Sequence, residues 1–315
     1  NNFNFKNMPL FKINHQKLEL IDEKSINLER DIQRLTEQNL KKIFGLEFVC
    51  SEFNIQNFFI DTLAFDAEDK SFVIVEYKRN QSFSVIDQGF NYLSLMLNNK
   101  SDFILEYNEK MNKNLNRKDV DWSQSRVIFI AGSFTSYQQG ALGFKDLPIE
   151  LWEVKLYENN FILYSHLKPL AAQESIKNIK GAREIERVSR EIKTYDIEFH
   201  RNKADEKTKE LFDELRKRIF ALAENITEHP QKNYIGYKIG SGYINFSAIE
   251  VYKSKLQVSI LIPNKKLKDP QKMAKSFPES YGWAKNLKKF VVKDIKDLQY
   301  AMTLIEQSYN YNKGR

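Results

Sequence analysis

Cysteine, histidine and glycine are scarce in this sequence. A single cysteine, Cys50, excludes a disulfide framework or a thiolate metal site within one chain. The four histidines are scattered without the spacing of metal ligands. The 11 glycines form neither a GxxxxGK[ST] loop nor a GxGxxG turn, so the use of ATP or a dinucleotide is not indicated.

Long apolar runs are also absent. No stretch approaches the roughly eighteen apolar residues of a membrane-spanning helix. Residues 1–7 have neither the charged nor the apolar segment of a signal peptide, so we expect a cytoplasmic protein. With 315 residues, 42% of them apolar, the chain is long enough to bury a sizeable core, and two domains are expected.

The net charge of +7 is unevenly distributed. Residues 231–315 contain sixteen Lys and Arg against six Asp and Glu, whereas the preceding residues carry a net charge of −3. Lysines neutralise phosphates, and the aromatic residues among them can stack on unpaired bases, so this region is a candidate nucleic-acid surface. The alternative is a solvated face over an ordinary core. The candidate contacts are Lys265, Lys266, Lys268, Lys285, Lys288 and Lys289.

Two carboxylates and a lysine occupy a predicted pair of strands. The stretch 71–77 is an almost continuous apolar and aromatic run that predicts a buried strand, and it carries Glu76, followed by Lys78. Alternation points these two side chains to the same face. Asp61 lies in the preceding predicted strand. Because buried charges are costly without partners or a metal, these residues predict a site, and the carboxylates could hold a divalent cation.

The surrounding pattern predicts an αβββαβ order. Apolar positions from Ile32 to Phe44 recur at helical spacing, after Leu28 and a possible N-cap at Ser25. The other predicted elements are strands at 46–53, 55–65 and 71–77, a helix at 85–97, a strand at 126–131, and a hairpin that extends the sheet within 147–164.

This arrangement resembles the PD-(D/E)XK nuclease superfamily, with Asp61 as the acidic residue and Glu76-Tyr77-Lys78 as the (D/E)XK triplet. The resemblance implies an αβββαβ mixed sheet flanked by helices, in which Asp61 and Glu76 bind Mg²⁺ or Mn²⁺. A main-chain carbonyl of the triplet strand is a further potential ligand. Lys78 would position or activate the attacking water.

The second predicted helix carries Gln88 and Tyr92, four residues apart and therefore on one side. They resemble the QxxxY element of the RecB-like and NucS-like branches, which implies a supporting catalytic role. In these branches a glutamate of the first helix also approaches the metal; Glu29 matches that position best, and Glu37 is the rival. The chain departs from the Gly-Arg-Ile-Asp pattern of the NucS-like branch, because Phe59 stands where the arginine would be.

The second half resembles the DUF5655 family, which often follows NucS-like nuclease domains. We therefore expect a PD-(D/E)XK nuclease-like domain at 1–167, a charged linker with helical stretches at 168–205, and a smaller basic α+β domain at 206–315. The resemblance extends from Met8 to about Tyr311 and adds no chemistry for the second domain.

These features together predict a metal-dependent nuclease that hydrolyses DNA phosphodiester bonds, in repair or in defence against foreign DNA. Two alternatives stay open: a non-catalytic nucleic-acid-binding or assembly protein that retains the nuclease fold, and a nuclease that acts on RNA. Nucleic acid is the expected partner, a membrane is not, and a homodimer is left open.

Overall fold

The computed structural model describes residues 9–24, 29–78, 84–144, 146–167, 175–176, 183–240, 242–276 and 286–313, except for the side chains of Glu29 and Ala141. The chain divides into two compact units, Asn1–Lys41 with Leu46–Lys193, and Lys42–Gly45 with Thr194–Arg315. Within the described ranges, no helix has the length and apolar character needed to cross a membrane.

The first unit combines nine strands with five helices in its described part. The strands are β1 Leu10–Asn14, β2 Lys17–Ile21, β3 Glu23–Lys24, β4 Glu47–Ile55, β5 Phe58–Asp66, β6 Ser71–Lys78, β7 Arg126–Ala131, β8 Ile149–Tyr157 and β9 Phe161–Leu167. The helices are α1 Glu29–Phe44, α2 Val85–Asn98, α3 Lys100–Met111, α4 Ser136–Gly140 and α5 Arg183–Glu191.

Seven of these strands form one mixed sheet in the order β3-β8-β7-β6-β5-β4, with β9 also paired to β8. The neighbours β4, β5 and β6 are antiparallel, whereas β6, β7 and β8 are parallel. The mixed α/β architecture predicted from the sequence is therefore confirmed. The strands β1 to β3 and helix α3 were not predicted, and the predicted N-cap Ser25 and the neighbouring Leu28 lie outside the described residues.

The centre of the sheet is made by the apolar run of β6. Val73, Ile74 and Val75 are completely buried, and burial of each such side chain contributes about 1.5–3 kcal/mol. Helix α1 buries Ile32 and Leu40. Midway between them Thr36 is also buried, with its hydroxyl donating to the Ile32 carbonyl. The sheet thus gives the candidate site residues of β5 and β6 a rigid support.

A charged cluster joins three strands of the sheet. Arg126 at the start of β7 donates from Nε to Glu150 Oε1 at 2.8 Å and from Nη2 to Asp66 Oδ2 at 3.1 Å. Asp66 also accepts the main-chain N–H groups of Glu68 and Asp69 in the turn after β5. Because Asp66 pairs with Ser71 at the start of β6, the cluster lies at the opposite end of the β5–β6 ladder from Glu76.

The β1–β2 hairpin forms a separate two-stranded sheet. Its cross-strand pairs Phe11–Leu20 and Ile13–Leu18 share one face, and all four side chains are exposed. Polar residues such as Lys12 and Glu19 alternate with them on the other face. The hairpin therefore contributes little to the core.

The second unit is an α+β fold. Its described elements are α6 Ile197–Arg201, α7 Glu206–Phe220, β10 Ile226–Pro230, β11 Ile235–Ile239, β12 Asn245–Tyr252, β13 Lys255–Leu261, β14 Lys275–Ser276, β15 Leu287–Val292 and α8 Ile295–Asn312. The strands form one antiparallel sheet in the order β10-β11-β12-β13-β15-β14, and α7 and α8 bury apolar side chains with it.

The predicted linker at 168–205 needs a correction. Helix α5 buries Ile185 and Val188 in the core of the first unit, together with Ile176 and Ile192. Residues 175–176 and 183–193, the described part of this stretch before Thr194, thus belong to the first unit. Residues 168–174 and 177–182 lie outside the described ranges.

Candidate active site

Glu76 is the centre of the candidate site. Only 4% of this residue is exposed, since it continues the buried run of β6. Its Oε1 accepts a hydrogen bond from Lys78 Nζ at 2.7 Å, from the Tyr92 hydroxyl at 2.9 Å and from Gln88 Nε2 at 3.2 Å. The structure therefore brings together these four sequence-predicted residues around one carboxylate oxygen.

The other oxygen of Glu76 is in a different situation. Oε2 is buried and has no hydrogen-bond partner in the described part of the chain. A buried, charged acceptor without a partner is costly, and in native structures it commonly indicates an ion or water site. Oε2 therefore has acceptor capacity that no described residue uses.

Asp61 lies where the β5–β6 ladder ends. The pairing runs from Asp66–Ser71 to Thr62–Val75, and Asp61 is the next residue of β5. Its Oδ2 accepts the Tyr77 main-chain N–H at 2.8 Å, which holds the carboxylate against the strand that carries Glu76. Because Asp61 lies beyond the last β5–β6 pair, its main-chain carbonyl accepts a hydrogen bond from a side chain, Gln33 Nε2 of α1, at 3.0 Å.

The two carboxylates of the site influence each other electrostatically. Burial and the negative charge of Glu76 raise the pKa of Asp61 to about 6, against the opposing effects of the Tyr77 N–H and Lys78. Burial, together with the charge of Glu76, raises the pKa of the Tyr92 hydroxyl as well. Tyr92 is therefore a neutral donor to Glu76 at physiological pH.

Helix α2 supplies Gln88 and Tyr92 from successive turns. Ser84 caps this helix by accepting the Asp87 N–H at 3.3 Å, and Val85, Phe90 and Leu93 anchor it in the core. Gln88 Nε2 also lies 3.3 Å from the Tyr92 hydroxyl, so the two side chains support each other as well as Glu76.

The two glutamates predicted on α1 have different outcomes. Glu29 is the first residue of the helix, but its side chain lies outside the described residues. The rival Glu37 accepts from the Thr62 hydroxyl at 2.6 Å and from Gln33 Nε2 at 3.0 Å. Gln33, which was not predicted as a site residue, bridges Glu37 and the Asp61 main chain. The sequence signal for this contact is that Gln33 lies one helical turn before Glu37 and therefore on the same side of α1.

The donor set suits a hard divalent cation that retains several waters. Glu76 Oε2 has no partner, and Asp61 provides a second carboxylate beside it. Such oxygen ligands are those that Mg²⁺ and Mn²⁺ prefer. Among the described side chains, no group of three or more His, Cys, Asp or Glu is placed to hold a metal. Among the described residues, the groups that could hold such a cation are therefore two carboxylates, and solvent or substrate would have to complete the coordination.

The predicted basic surface of the second unit is only partly present. Lys265, Lys266 and Lys268 are exposed. Lys285 lies outside the described residues. Lys288 is 2% exposed, because alternation along β15 turns it inward with Phe290 and Val292, and so it is not available as a surface contact. Lys289 points the other way and pairs with Glu250 at 2.7 Å.

Replacing Asp61 by asparagine is expected to stabilise the metal-free protein near pH 7. The pKa of Asp61 is about 6 in the folded protein and 3.8 ordinarily, so between these pH values the folded protein binds more protons than the unfolded chain. The free energy of unfolding therefore falls as the pH rises from 3.8 to about 6. Asparagine stays neutral and can still accept the Tyr77 N–H. We expect a gain of about 1–3 kcal/mol at pH 7 that vanishes below about pH 4, measured by urea unfolding across pH.

An Asp61→Asn protein that is equally or less stable than the wild type at pH 7 would contradict this electrostatic account. Asp87→Asn is the control, because this first-turn residue of α2 is not among the groups that shift the pKa of Asp61.

Known proteins resemble different parts of the chain. Residues 197–312 match the model of a family described as "Domain of unknown function (DUF5655)", which confirms the predicted resemblance of the second half. An "Uncharacterized protein" of Haemophilus influenzae is 39% identical over 302 residues, which cover 96% of this chain and 99% of that protein.

Two solved structures are also similar to part of the chain. One is the crystal structure of a repair endonuclease from Pyrococcus abyssi, at 18% identity and a TM-score of 0.24, covering 42% of this chain and 49% of that one. The other is an EndoMS–dsDNA complex, at 14% identity and a TM-score of 0.24, covering 46% and 64%. The chain thus spans about half and just under two thirds of these proteins.

Proposed function

The chain belongs to one family with the Haemophilus influenzae protein, and we propose that it is a metal-dependent nuclease that hydrolyses DNA phosphodiester bonds. In this proposal the first unit is a PD-(D/E)XK nuclease domain of the NucS-like and RecB-like kind, with Asp61, Glu76 and Lys78 as its motif.

One observation carries the proposal. Glu76 Oε2 is buried without a partner, in a carboxylate whose other oxygen is fixed by three donors and whose neighbour, Asp61, has a raised pKa. A buried carboxylate oxygen without a hydrogen-bond partner is costly, whereas a cation at Oε2 would satisfy that oxygen and reduce the repulsion between the two carboxylates. Raised pKa values of this kind are concentrated at functional sites.

The roles of the residues follow from their contacts. Asp61 and Glu76 would hold Mg²⁺ or Mn²⁺, which supplies Lewis-acid polarisation of the phosphate and a more acidic bound water. Lys78, fixed at 2.7 Å from Glu76 and partly exposed, places its positive charge where it can orient water and offset charge that develops on the phosphate. Gln88 and Tyr92 are positioning residues, because they act through Glu76. Glu29 is a third candidate ligand.

We assign capture of DNA in part to the second unit. Exposed Lys265, Lys266 and Lys268 lie in a sequence region with an excess of ten positive charges, which favours phosphate contacts. Because the first 230 residues carry a net charge of −3, they attract a polyanion less well.

The proposal is tested with a cleavage panel. Plasmid, linear duplex, single-stranded, branched and mismatched DNA, and RNA, are incubated with the purified protein and Mg²⁺, Mn²⁺ or EDTA. We expect metal-dependent cleavage of at least one DNA substrate, together with a higher Tm for the wild type on addition of Mn²⁺ and no such rise for Asp61→Asn.

The outcomes separate the alternatives. Cleavage of RNA alone would reassign the substrate. Binding of DNA without cleavage, and with a Tm that millimolar Mn²⁺ leaves unchanged, would favour a non-catalytic nucleic-acid-binding protein and reject the nuclease.

A further inference from the structure

Two adjacent phenylalanines are exposed at the start of β5, just before Asp61. Phe58 is 46% exposed and Phe59 is 66% exposed. A lone exposed apolar residue is common on protein surfaces. Alternation along β5, however, places Phe59 on the same face as Asp61, whereas Phe58 points to the opposite face, so the ring of Phe59 lies on the side of the sheet that carries the buried charged site.

The backbone beneath these rings is held in place. Phe58 pairs with Ile55 and Phe59 with Asn54 across the β4–β5 hairpin. At the turn of this hairpin, Gln56 Nε2 donates to Asn99 Oδ1 at 2.7 Å, at the junction of α2 and α3. The exposed rings therefore stand on an anchored hairpin.

One hydroxyl links Phe59 to the candidate active site. The Tyr92 hydroxyl donates to Glu76 Oε1 at 2.9 Å and lies 3.4 Å from the Phe59 carbonyl oxygen. Asp61 follows Phe59 by two residues in the same strand. A nucleotide whose phosphate lies at Glu76 and Asp61 would therefore have its neighbours within reach of the phenyl ring of Phe59.

We propose that Phe59 stacks on an unpaired base next to the scissile phosphate, so that the preferred substrate is single-stranded or locally unpaired DNA. This inference rests on the proposed nuclease function. It concerns a contact that the carboxylates and Lys78 do not make.

The chemistry of the Phe59 ring favours an unpaired base over a duplex. A phenyl ring has no charge for a phosphate and no donor or acceptor for the edge of a base pair, whereas every unpaired base presents a π face. Residues 53–61 contain no lysine or arginine, so phosphate attraction in this segment is absent and stacking is the available contribution. In a continuous duplex the bases are already stacked on each other, and their faces are covered.

The experiment measures binding and cleavage separately. A single-stranded DNA oligonucleotide that contains 2-aminopurine, and its duplex, are titrated with the protein in EDTA, where fluorescence quenching reports stacking without cleavage. The variants are Phe59→Ala, Phe59→Trp and, as a matched control, Phe161→Ala, which removes a phenylalanine that is 52% exposed in β9. Thermal melts check that the variants are folded.

We expect Phe59→Ala to weaken single-strand binding by about 5- to 150-fold and to reduce the quenching, while duplex binding changes by less than about twofold. Phe59→Trp should restore binding, and Phe161→Ala should match the wild type. With Mg²⁺ or Mn²⁺, Phe59→Ala should lose its preference for single strands.

The stacking proposal is overturned if the wild type does not quench 2-aminopurine, if Phe59→Ala binds single strands as well as the wild type, or if it loses single-strand and duplex binding alike. Metal-dependent cleavage with unaltered binding by Phe59→Ala would reject the stacking and leave the nuclease intact. Quenching that depends on Phe59, without cleavage of any substrate, would support stacking and reject the nuclease.

Discussion

Glu76→Gln is expected to reduce metal-dependent DNA cleavage by on the order of a thousandfold or more. Glutamine preserves the shape of the side chain and an oxygen that can still accept from Lys78 and Tyr92, but it places an amide where the unpartnered Oε2 now lies. The negative charge that would hold the cation is lost. Single-turnover cleavage with excess enzyme measures the effect without interference from product release.

The matched control is Glu47→Gln, since Glu47 is a partly buried glutamate of the same sheet that pairs with Lys113 at 3.0 Å, away from Glu76. This variant should cleave at close to the wild-type rate. Binding of DNA in EDTA should persist in Glu76→Gln, because that carboxylate repels phosphate. A Glu76→Gln protein that cleaves within about tenfold of the wild type would remove Glu76 from the catalytic centre.

Arg126→Met is expected to give the largest loss of stability, about 3–5 kcal/mol, toward the lower end because the side chain is 20% exposed. The substitution leaves Asp66 and Glu150 without the guanidinium that they share at 3.1 and 2.8 Å. Burial by itself would raise the pKa of Glu150, but the positive charge of Arg126 contributes to a net lowering of that pKa. Loss of this charge would leave Glu150 as a poorly solvated carboxylate. Urea unfolding at pH 7 measures the change.

Lys207→Met provides the comparison, since it removes a lysine that is paired with Asp294 but is 71% exposed. Its cost should be far smaller than that of Arg126→Met, because solvent screens an exposed ion pair. The stability cost of Arg126→Lys should lie between those of Arg126→Met and Lys207→Met, because lysine keeps the positive charge but lacks the planar guanidinium that donates to Asp66 and Glu150 together. A cost for Arg126→Met no greater than that for Lys207→Met would show that the cluster is not a stabilising element.

The central part of the fold was predictable because its signals are local. The apolar run of β6 with two charges at alternate positions, and Gln88 and Tyr92 one turn apart on α2, place each side chain by the geometry of one element alone. Elements with weaker signals were missed. Helix α3 buries only Phe103 and Tyr107, and the β1–β2 hairpin buries only Ile21.

Other features depend on contacts between elements that the sequence does not specify. The pair Lys288-Lys289 alternates along β15, and a shift of one residue would exchange the buried lysine for the exposed one, so only the pairing with β13 decides between them. The part played by Gln33 likewise depends on how α1 lies against the end of β5, where the ladder stops and the Asp61 carbonyl needs another donor.

The separation of the candidate site and the Arg126 cluster to opposite ends of the β5–β6 ladder has a consequence for the order of folding. The residues around Glu76 come from thirty-two consecutive positions, Asp61 to Tyr92, joined by an antiparallel hairpin and the helix after it. Arg126, by contrast, closes contacts across 60 and 24 positions and belongs to parallel pairings that require a crossover. Short loops close at lower entropic cost, and low contact order speeds folding. We therefore expect the part of the sheet that carries the carboxylates to form early, and the pairing of β7 with β8 to set how quickly the domain is completed.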